Sequence, residues 1–265
     1  MACLNITSLP KHTDELRIFL HNKYLDILAI NETRLHEVIS DDVIRIEGYD
    51  IVRRDRPLNG RNGGGVCFYI RTSINYIVRK DLEFANLENL SVEISKPRAK
   101  PFVVSSWYRP PNSSSELFGD FEAFVGRLDS EGKKYYIMGD LNCNMLPTSC
   151  ININTQTLLN IADIYNLKQL IREPTRITPS SSTLIDVIFT SHPNNISCSG
   201  VSHISISDHS LVFVYRKISL PPSTKGINSI LFRQFKHFDA QSFRADISVQ
   251  PWDELMGIKT LTVCG

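Results

Sequence analysis

The sequence lacks any run of about 18 apolar residues, which is the length that a helix needs to cross a bilayer, so no membrane contact is expected. Its N-terminus, MACLNITSLPKHTDEL, has no basic segment followed by an apolar one, which argues against a secretory signal peptide. Neither sign of charge is in excess, because 29 Lys and Arg residues accompany 28 Asp and Glu residues. The balance neither indicates nor excludes a local basic surface for nucleic acid.

Cysteine is scarce and never paired in sequence. No CxxC pair with metal-site spacing occurs, which argues against a zinc cluster and against a disulfide framework. We therefore expect reduced thiols and an intracellular protein, nuclear or cytoplasmic. The six cysteines are Cys3, Cys67, Cys143, Cys150, Cys198 and Cys264.

The 265 residues, 42% of them hydrophobic, suffice for a sizeable core in one large domain or two small ones. Short apolar runs outnumber helical stripes, which favours an α/β protein with two β-sheets packed face to face and helices outside. Strands are predicted at 25–30, 63–70, 90–94, 101–108, 135–140, 183–190 and 210–218.

Three helices are predicted from apolar residues at helical spacing. The first contains Leu16, the second follows a capping-box pattern at Ser113 and Glu116, and the third spans 157–171. Residues 219–229 have the Pro, Ser and Gly content of a linker. The sequence thus predicts one domain over 1–218 and a linker with a helical tail over 219–265.

Polar side chains stand where predicted strands end or begin, and one acid, Asp186, lies in an otherwise apolar strand. Each feature alone has an ordinary structural explanation: a turn, a solvated strand end or a hydrogen-bonded buried acid. Together they predict a single edge at which the groups converge. The groups are Asn31, Glu32, Tyr108, Asp140, Asn142, Asp208 and His209.

These residue types suit phosphodiester chemistry. Glu32 could bind a hard divalent cation, and Asp140 with Asn142 could orient or deprotonate an attacking water. His209, held by Asp186, could contact a phosphate oxygen or carry a proton, and the Tyr108 hydroxyl could donate to the same phosphate. The joint pattern predicts metal-assisted phosphodiester hydrolysis.

Seven blocks occur in order: LNITSL, LDILAINETRL, GGGVCFYI, WYRPP, MGDLNCN, STLIDVIFTS and SISDHSLV. As a set they resemble the endonuclease/exonuclease/phosphatase superfamily, most closely the apurinic-type endonuclease domain of LINE-class (non-LTR) retrotransposons. The resemblance covers roughly residues 3–216. It implies a four-layer α/β sandwich and a nuclease that nicks one DNA strand to leave a 3′-hydroxyl.

The resemblance also implies roles for individual residues. Glu32 would be the principal metal ligand, with Asn5 and Asp208 nearby, and the ion would be Mg²⁺ or Mn²⁺ with no other small-molecule cofactor. Asp140 and Asn142 would position water. Tyr108 and His209, the latter held by Asp186, would contact phosphate.

Two arginines beside the motifs, Arg109 and Arg176, are candidate contacts to the DNA backbone, although a solvated mixed-charge surface is an equally good explanation. Asn112 follows two prolines where an amide often contacts phosphate in relatives. Residues 232–255 resemble the segment that leads to a reverse transcriptase, and their other interpretation is an ordinary amphipathic helix.

Three hypotheses follow from the sequence. The first is a Mg²⁺-dependent DNA endonuclease derived from a retrotransposon. The second is another phosphoesterase of the same fold, acting on a phosphoinositide or phospholipid. The third is a catalytically inactive relic or a DNA-binding module, in which the short first strand ahead of Asn5 weakens the fold. No oligomeric state is predicted.

Overall fold

The computed structural model describes five stretches of the chain: residues 1–57, 63–96, 99–147, 152–217 and 238–252. The chain divides into two compact units, Met1–Ser219 and Leu220–Gly265. The predicted linker at 219–229 lies outside the described residues. Among the helices of the described stretches, none has the length and hydropathy to cross a membrane.

The first unit contains fourteen described strands and four described α-helices. The strands are β1 (Ala2–Asn5), β2 (Ile27–Asn31), β3 (Tyr49–Arg54), β4 (Val66–Arg71), β5 (Asn75–Val78), β6 (Glu88–Ser95), β7 (Phe102–Tyr108), β8 (Lys134–Asp140), β9 (Lys168–Gln169), β10 (Arg176–Thr178), β11 (Ser181–Thr183), β12 (Asp186–Thr190), β13 (Ile196–Ser202) and β14 (Leu211–Arg216). The helices are α1 (Leu9–Asn22), α2 (Asp41–Ile44), α3 (Leu117–Ser130) and α4 (Ile153–Ile164).

Twelve strands form two mixed sheets of six. The first sheet has the order β13-β14-β1-β2-β4-β3, and the second has the order β5-β6-β7-β8-β12-β9. Each contains one parallel pair, β1 with β2 and β7 with β8, among antiparallel neighbours. Strands β10 and β11 form a separate hairpin.

At strands β1, β2 and β4 both faces of the first sheet are buried, and side chains alternate between them as the pleat requires. In β2, Ile27 and Ala29 belong to the core between the sheets, whereas Leu28 and Ile30 pack on the side of α1 and α2. Burial on two faces explains why the strand reads as a continuous apolar run. The same alternation directs the next residue, Asn31, into the layer between the sheets.

The second sheet shares that central core and is covered by α3 and α4. Phe121 and Phe124 of α3, and Leu158 and Ile161 of α4, belong to one cluster with Ile137 and Met138 of β8. The layers are therefore helices, sheet, sheet and helices. The predicted four-layer α/β sandwich of two mixed sheets flanked by helices is confirmed.

The short first strand occupies an interior position in its sheet. β1 pairs with β2 in parallel and with β14 in antiparallel register, and Asn5 stands opposite Asn31. The Met1 amino group donates to the Val214 carbonyl at 3.0 Å. The four residues of β1 thus form the hydrogen-bond ladders to both β2 and β14, and these fix Asn5 at the end of the strand.

Three predicted element details were wrong. Ser113 does not cap α3, because its hydroxyl donates to the Pro110 carbonyl and the helix begins at Leu117. The helix predicted at 157–171 ends at Ile164, since Asn166 adopts a positive φ of 50° and the chain continues into β9. The strand predicted at 183–190 is divided between β11 and β12.

In the second unit, the described residues contain one helix, α5 (Ala240–Ser248), inside the segment 232–255 predicted to be helical. Asp239 caps it by accepting a hydrogen bond from the Gln241 backbone N–H at 2.8 Å. Its apolar side chains Phe243 and Ile247 are exposed.

Candidate metal and active site

Antiparallel pairing of β8 with β12 places two carboxylates side by side. Asp140, the last residue of β8, is in register with Asp186, the first residue of β12. Nδ1 of His209 lies 2.9 Å from Oδ2 of Asp186 and 3.9 Å from Oδ2 of Asp140. Ligand atoms of these three buried residues all lie within 4.8 Å of one another, a grouping that could hold a metal ion.

Burial and this close approach govern the protonation of the group. Burial, followed by repulsion from Asp186, raises the pKa of Asp140 to about 7, against the opposing effect of His209. Burial alone would lower the pKa of His209, but the hydrogen bond and charge of Asp186 outweigh it, and the pKa is raised. Asp140 therefore exchanges its proton near neutral pH, and the imidazolium form of His209 is stabilised.

A second carboxylate, Glu32, is tied to this group through an amide. The Asn5 Nδ2 atom donates to Oε1 of Glu32 at 3.2 Å and to Oδ2 of Asp140 at 2.9 Å. The Tyr108 hydroxyl donates to the same Oε1 at 2.7 Å. Burial and the hydrogen bond to Glu32 raise the pKa of Tyr108, which keeps its hydroxyl protonated.

Asn31 links the two sheets directly beneath the site. Its Oδ1 accepts from the Asp140 backbone N–H at 2.9 Å, and its Nδ2 donates to the Ser106 hydroxyl at 2.9 Å. The Cys3 thiol donates to the same Oδ1 at 3.4 Å. The sequence placed Asn31 among the polar groups expected to converge at this edge, from its position at the end of a buried strand, but assigned it no role.

Thr175 is a further residue that sequence reasoning missed. Its hydroxyl oxygen accepts from the backbone N–H groups of Ile185 and Asp186 at 3.2 and 3.1 Å, and its carbonyl accepts from Ser210 N–H at 2.7 Å. It thus fixes the backbone on both sides of the Asp186–His209 pair. No local sequence pattern marks a threonine for this position.

Residues at the edge of the site adopt backbone conformations that non-glycine residues rarely occupy. Glu32 has a φ of 53°, Asn142 of 49° and Thr7 of 62°. The fold holds Thr7 by a hydrogen bond from its N–H to Oδ1 of Asn5 at 3.0 Å. Strained backbone of this kind concentrates at functional sites.

Asn142 completes the turn after β8. Its backbone N–H donates to Oδ1 of Asp140 at 3.0 Å, and its Nδ2 donates to the Arg109 carbonyl at 2.9 Å. Both oxygens of Asp140 therefore accept hydrogen bonds, one from Asn142 and one from Asn5. The carboxylate is held in one orientation.

The remaining sequence candidates lie elsewhere. Asp208 is half exposed and ion-paired with Arg176, with the Arg176 Nε atom 2.9 Å from Oδ2 of Asp208. Partial burial would raise the pKa of Asp208, but the arginine lowers it. Asn112 is exposed with a φ of 60°. Among the described contacts, none joins Asp208 to Glu32 or Asn5.

Arg109 departs from the expectation of a DNA contact, because only 1% of it is exposed. Its guanidinium donates to the Ser113 carbonyl at 3.0 Å and lies 5.0 Å from the centre of the Phe118 ring. The side chain fixes the turn that follows β7 instead of facing solvent. The apolar packing of α3 against this end of the sheet accounts for its burial.

A cleft of about 1080 Å³ opens beside Glu32 and Tyr108. Arg34, whose Nη2 lies 3.7 Å from Oε2 of Glu32, forms part of its wall, as does exposed Asn112. The Glu32 carboxylate, a ligand type that hard cations prefer, thus faces an open surface. The residues present fit a divalent metal, which the Glu32 carboxylate could hold beside the Asn5 amide and next to the buried group of Asp140, Asp186 and His209.

Residues 3–209 match the model of the Endonuclease/Exonuclease/phosphatase family. In sequence, the chain is similar to a probable RNA-directed DNA polymerase from transposon BS of Drosophila melanogaster, 26% identical over 139 residues. That match covers 52% of this chain and 14% of the Drosophila protein, so it concerns a small part of the relative.

Solved structures show the same fold at low identity. The endonuclease domain of TRAS1, a telomere-specific non-LTR retrotransposon, superposes with a TM-score of 0.65 at 17% identity, over 83% of this chain and 98% of that one. The AP endonuclease LMAP from Leishmania major gives 0.67 at 14% identity, over 82% and 87%. The 3′-5′ exonuclease NExo from Neisseria meningitidis gives 0.66 at 15% identity, over 82% and 99%.

The family match runs from β1 to His209 and includes all the strands of the two sheets except β14. It contains every residue of the cluster described above. The chain belongs to the Endonuclease/Exonuclease/phosphatase family.

Proposed function

We propose that this protein is a metal-dependent phosphodiester hydrolase that nicks one strand of DNA and leaves a 3′-hydroxyl. The observation that carries the proposal is a continuous set of contacts from Glu32 through Asn5 to Asp140, and from His209 to Asp186. These residues come from both sheets and meet at one edge, beside an open cleft.

Glu32 would hold the cation, with the Asn5 amide beside it, and Asp140, Asp186 and His209 form the other part of the group. A bound Mg²⁺, or Mn²⁺, supplies Lewis-acid stabilisation of negative charge on the phosphate. Asp208 would have to exchange its ion pair with Arg176 to serve as a further ligand.

The residues themselves supply proton transfer and orientation. Asp140 is suited to remove a proton from an attacking water, because its pKa of about 7 matches neutral conditions. Asn142 holds that carboxylate through its backbone N–H. With Nδ1 engaged by Asp186, His209 has Nε2 left to donate to a phosphate oxygen.

Tyr108 has one hydroxyl proton, which points at Glu32 in the structure. The raised pKa of Tyr108 keeps its hydroxyl protonated and able to donate. A phosphate oxygen that replaced Glu32 as the acceptor would therefore receive a hydrogen bond from a neutral hydroxyl. Arg176 and Asn112 are candidate backbone contacts, since both are accessible. Arg109 would act indirectly by holding the turn that carries Asn112.

DNA is the proposed substrate because the sequence relative is a transposon polymerase and the TRAS1 structure is an endonuclease domain. By the same argument, we propose that residues 1–218 form the nuclease and that the tail leads towards a polymerase-like segment. Acting on chromosomal DNA requires access to the nucleus. The alternative substrates, phosphoinositides or phospholipids, have no feature in the described residues that favours them.

Nicking of supercoiled plasmid tests the proposal. We expect relaxed circles with Mg²⁺ and none with EDTA, and loss of nicking in Asp140→Ala and Glu32→Gln. Asp163→Asn, an exposed acid on α4, is the matched control and keeps full activity. Nicking that survives Asp140→Ala contradicts the mechanism, and turnover of a soluble inositol phosphate in place of plasmid contradicts the substrate.

A further inference from the structure

A second polar groove lies at the other end of the first sheet. It has a volume of about 1120 Å³, and we call it the α1–β3 groove, defined by Arg17, His21, Lys23, Tyr24, Arg45 and Arg71. Its lining contains four Arg and Lys side chains and only two acids, Asp42 and Glu47. The local charge is positive although the whole chain is nearly neutral.

Strand direction separates this groove from the catalytic cluster. β2 ends at Asn31, next to Glu32, and begins at Ile27, whose antiparallel partner in β4 is Ile70. Arg71 follows Ile70, donates its backbone N–H to the Asp26 carbonyl at 2.9 Å and stands in register with Tyr49. A five-residue strand spans about 16 Å, so the two sites are distinct.

The groove presents an aromatic platform. The Arg71 guanidinium carbon lies 3.9 Å from the centre of the Tyr24 ring and 5.2 Å from that of Tyr49. The Nη2 atom of Arg71 donates to the Tyr49 hydroxyl at 3.2 Å. Tyr24 is nevertheless 74% exposed. The Arg71 guanidinium holds one face of the Tyr24 ring, while most of the surface of that ring remains open for stacking.

The surrounding cations are not all engaged. Arg17 is occupied by Asp14 and by the carbonyls of Val43 and Arg45. Lys23 and Arg45 are exposed and make no side-chain contact among the hydrogen bonds and ion pairs of the described residues. Two exposed positive charges therefore line the same groove as the open tyrosine ring.

We propose that the α1–β3 groove binds single-stranded nucleic acid, with a base stacked on Tyr24 and phosphates on Lys23 and Arg45. Sites for single strands combine a cationic groove with exposed aromatic rings in this way. The phosphates of a duplex could pair with Lys23 and Arg45, but its bases could not stack on Tyr24, because bases stacked within a duplex present no free face. The proposal stands independently of the catalytic one.

Fluorescence anisotropy with a labelled oligothymidylate of about 12 nucleotides, in EDTA to prevent cleavage, tests the proposal. We expect Tyr24→Ala to weaken binding about 10-fold, because one base loses its stacking partner. Lys23→Gln with Arg45→Gln should flatten the plot of log affinity against log salt by about 1.4, for two lost phosphate contacts. Metal-dependent plasmid nicking by these variants should stay unchanged.

The controls are Tyr215→Ala and Lys168→Gln, which remove an exposed ring and an exposed cation elsewhere on the surface. They should leave binding unchanged, and circular dichroism should show all variants folded. Wild-type affinity in Tyr24→Ala, or a duplex or an acidic peptide that binds with the same sensitivity to these variants, would overturn the proposal.

Discussion

The side-chain oxygen of Asn31, in the first sheet, accepts the backbone N–H of Asp140, in the second, at 2.9 Å. The adjacent residue, Glu32, and the side chain of Asp140 then face the same site. One buried amide thus fixes the distance between carboxylates that belong to different sheets, and through Ser106 it contacts a third strand.

Asn31→Leu should therefore lower both stability and activity. A buried N–H without an acceptor costs about 1–3 kcal/mol of unfolding free energy, which urea denaturation would measure. Nicking by the folded variant should fall at least about 10-fold, because Asp140 is no longer held.

Ser91→Ala is its matched control. It breaks a buried 2.8 Å hydrogen bond to Ser105 within the second sheet, away from Asp140. It should cost similar stability and leave nicking intact at a temperature where the protein is folded. Equal loss of nicking in both variants would show that Asn31 acts only through stability.

Asp186→Asn should lower the pKa of His209. The Asp186 carboxylate raises the pKa of His209 through its hydrogen bond and its charge, against the effect of burial. Replacing the carboxylate by a neutral amide removes the charge that stabilises the imidazolium form. NMR titration in EDTA would show the downward change, and nicking should fall about 10²- to 10⁴-fold as for a lost acid–base partner. An unchanged His209 pKa would contradict the pairing, and Asp163→Asn serves as the control.

Unfolding free energy should fall as pH rises from 5 to 8 in EDTA. The pKa of Asp140 is about 7 in the folded state and 3.8 ordinarily, so between these values the folded protein binds more protons than the unfolded one. The raised pKa of His209 acts in the same direction above its usual value of 6.5. The slope should approach about 1 kcal/mol per pH unit for Asp140.

Asp140→Asn should remove the contribution of Asp140 to the pH dependence of the unfolding free energy. In the wild type at pH 8, saturating Mg²⁺ should restore the lost stability. Urea denaturation across the pH range gives both readings. A slope in the variant equal to that of the wild type would contradict the proton assignment.

Gly139→Ala should destabilise the protein by more than about 2 kcal/mol. Gly139 has a φ of 153°, and a Cβ there would lie 1.8 Å from the Trp107 carbonyl oxygen of the neighbouring strand. Gly119→Ala in α3 is the control, because a Cβ there meets nothing within 4 Å, and thermal melting should show it neutral or slightly more stable. Similar melting temperatures for the two variants would contradict the packing argument.

Sequence reasoning predicted the layers well because buried strands and amphipathic helices leave periodic signals, as in Ile27–Asn31 and the Phe121 stripe of α3. It predicted the joint location of Glu32, Asp140, Asp186 and His209 from strand ends. It failed at Arg109, whose burial depends on packing against Phe118, and at Thr175, whose hydroxyl serves backbone groups ten residues away. Contacts made by tertiary packing have no local pattern.

The pairing of β1 with β14 has a consequence for synthesis on the ribosome. The amino group of Met1 meets a carbonyl 213 positions later, and His209 lies just before that closing strand. A nascent chain therefore cannot complete the group of Asp140, Asp186 and His209 until nearly the whole of the first unit has been translated, and such distant partners also predict slow folding.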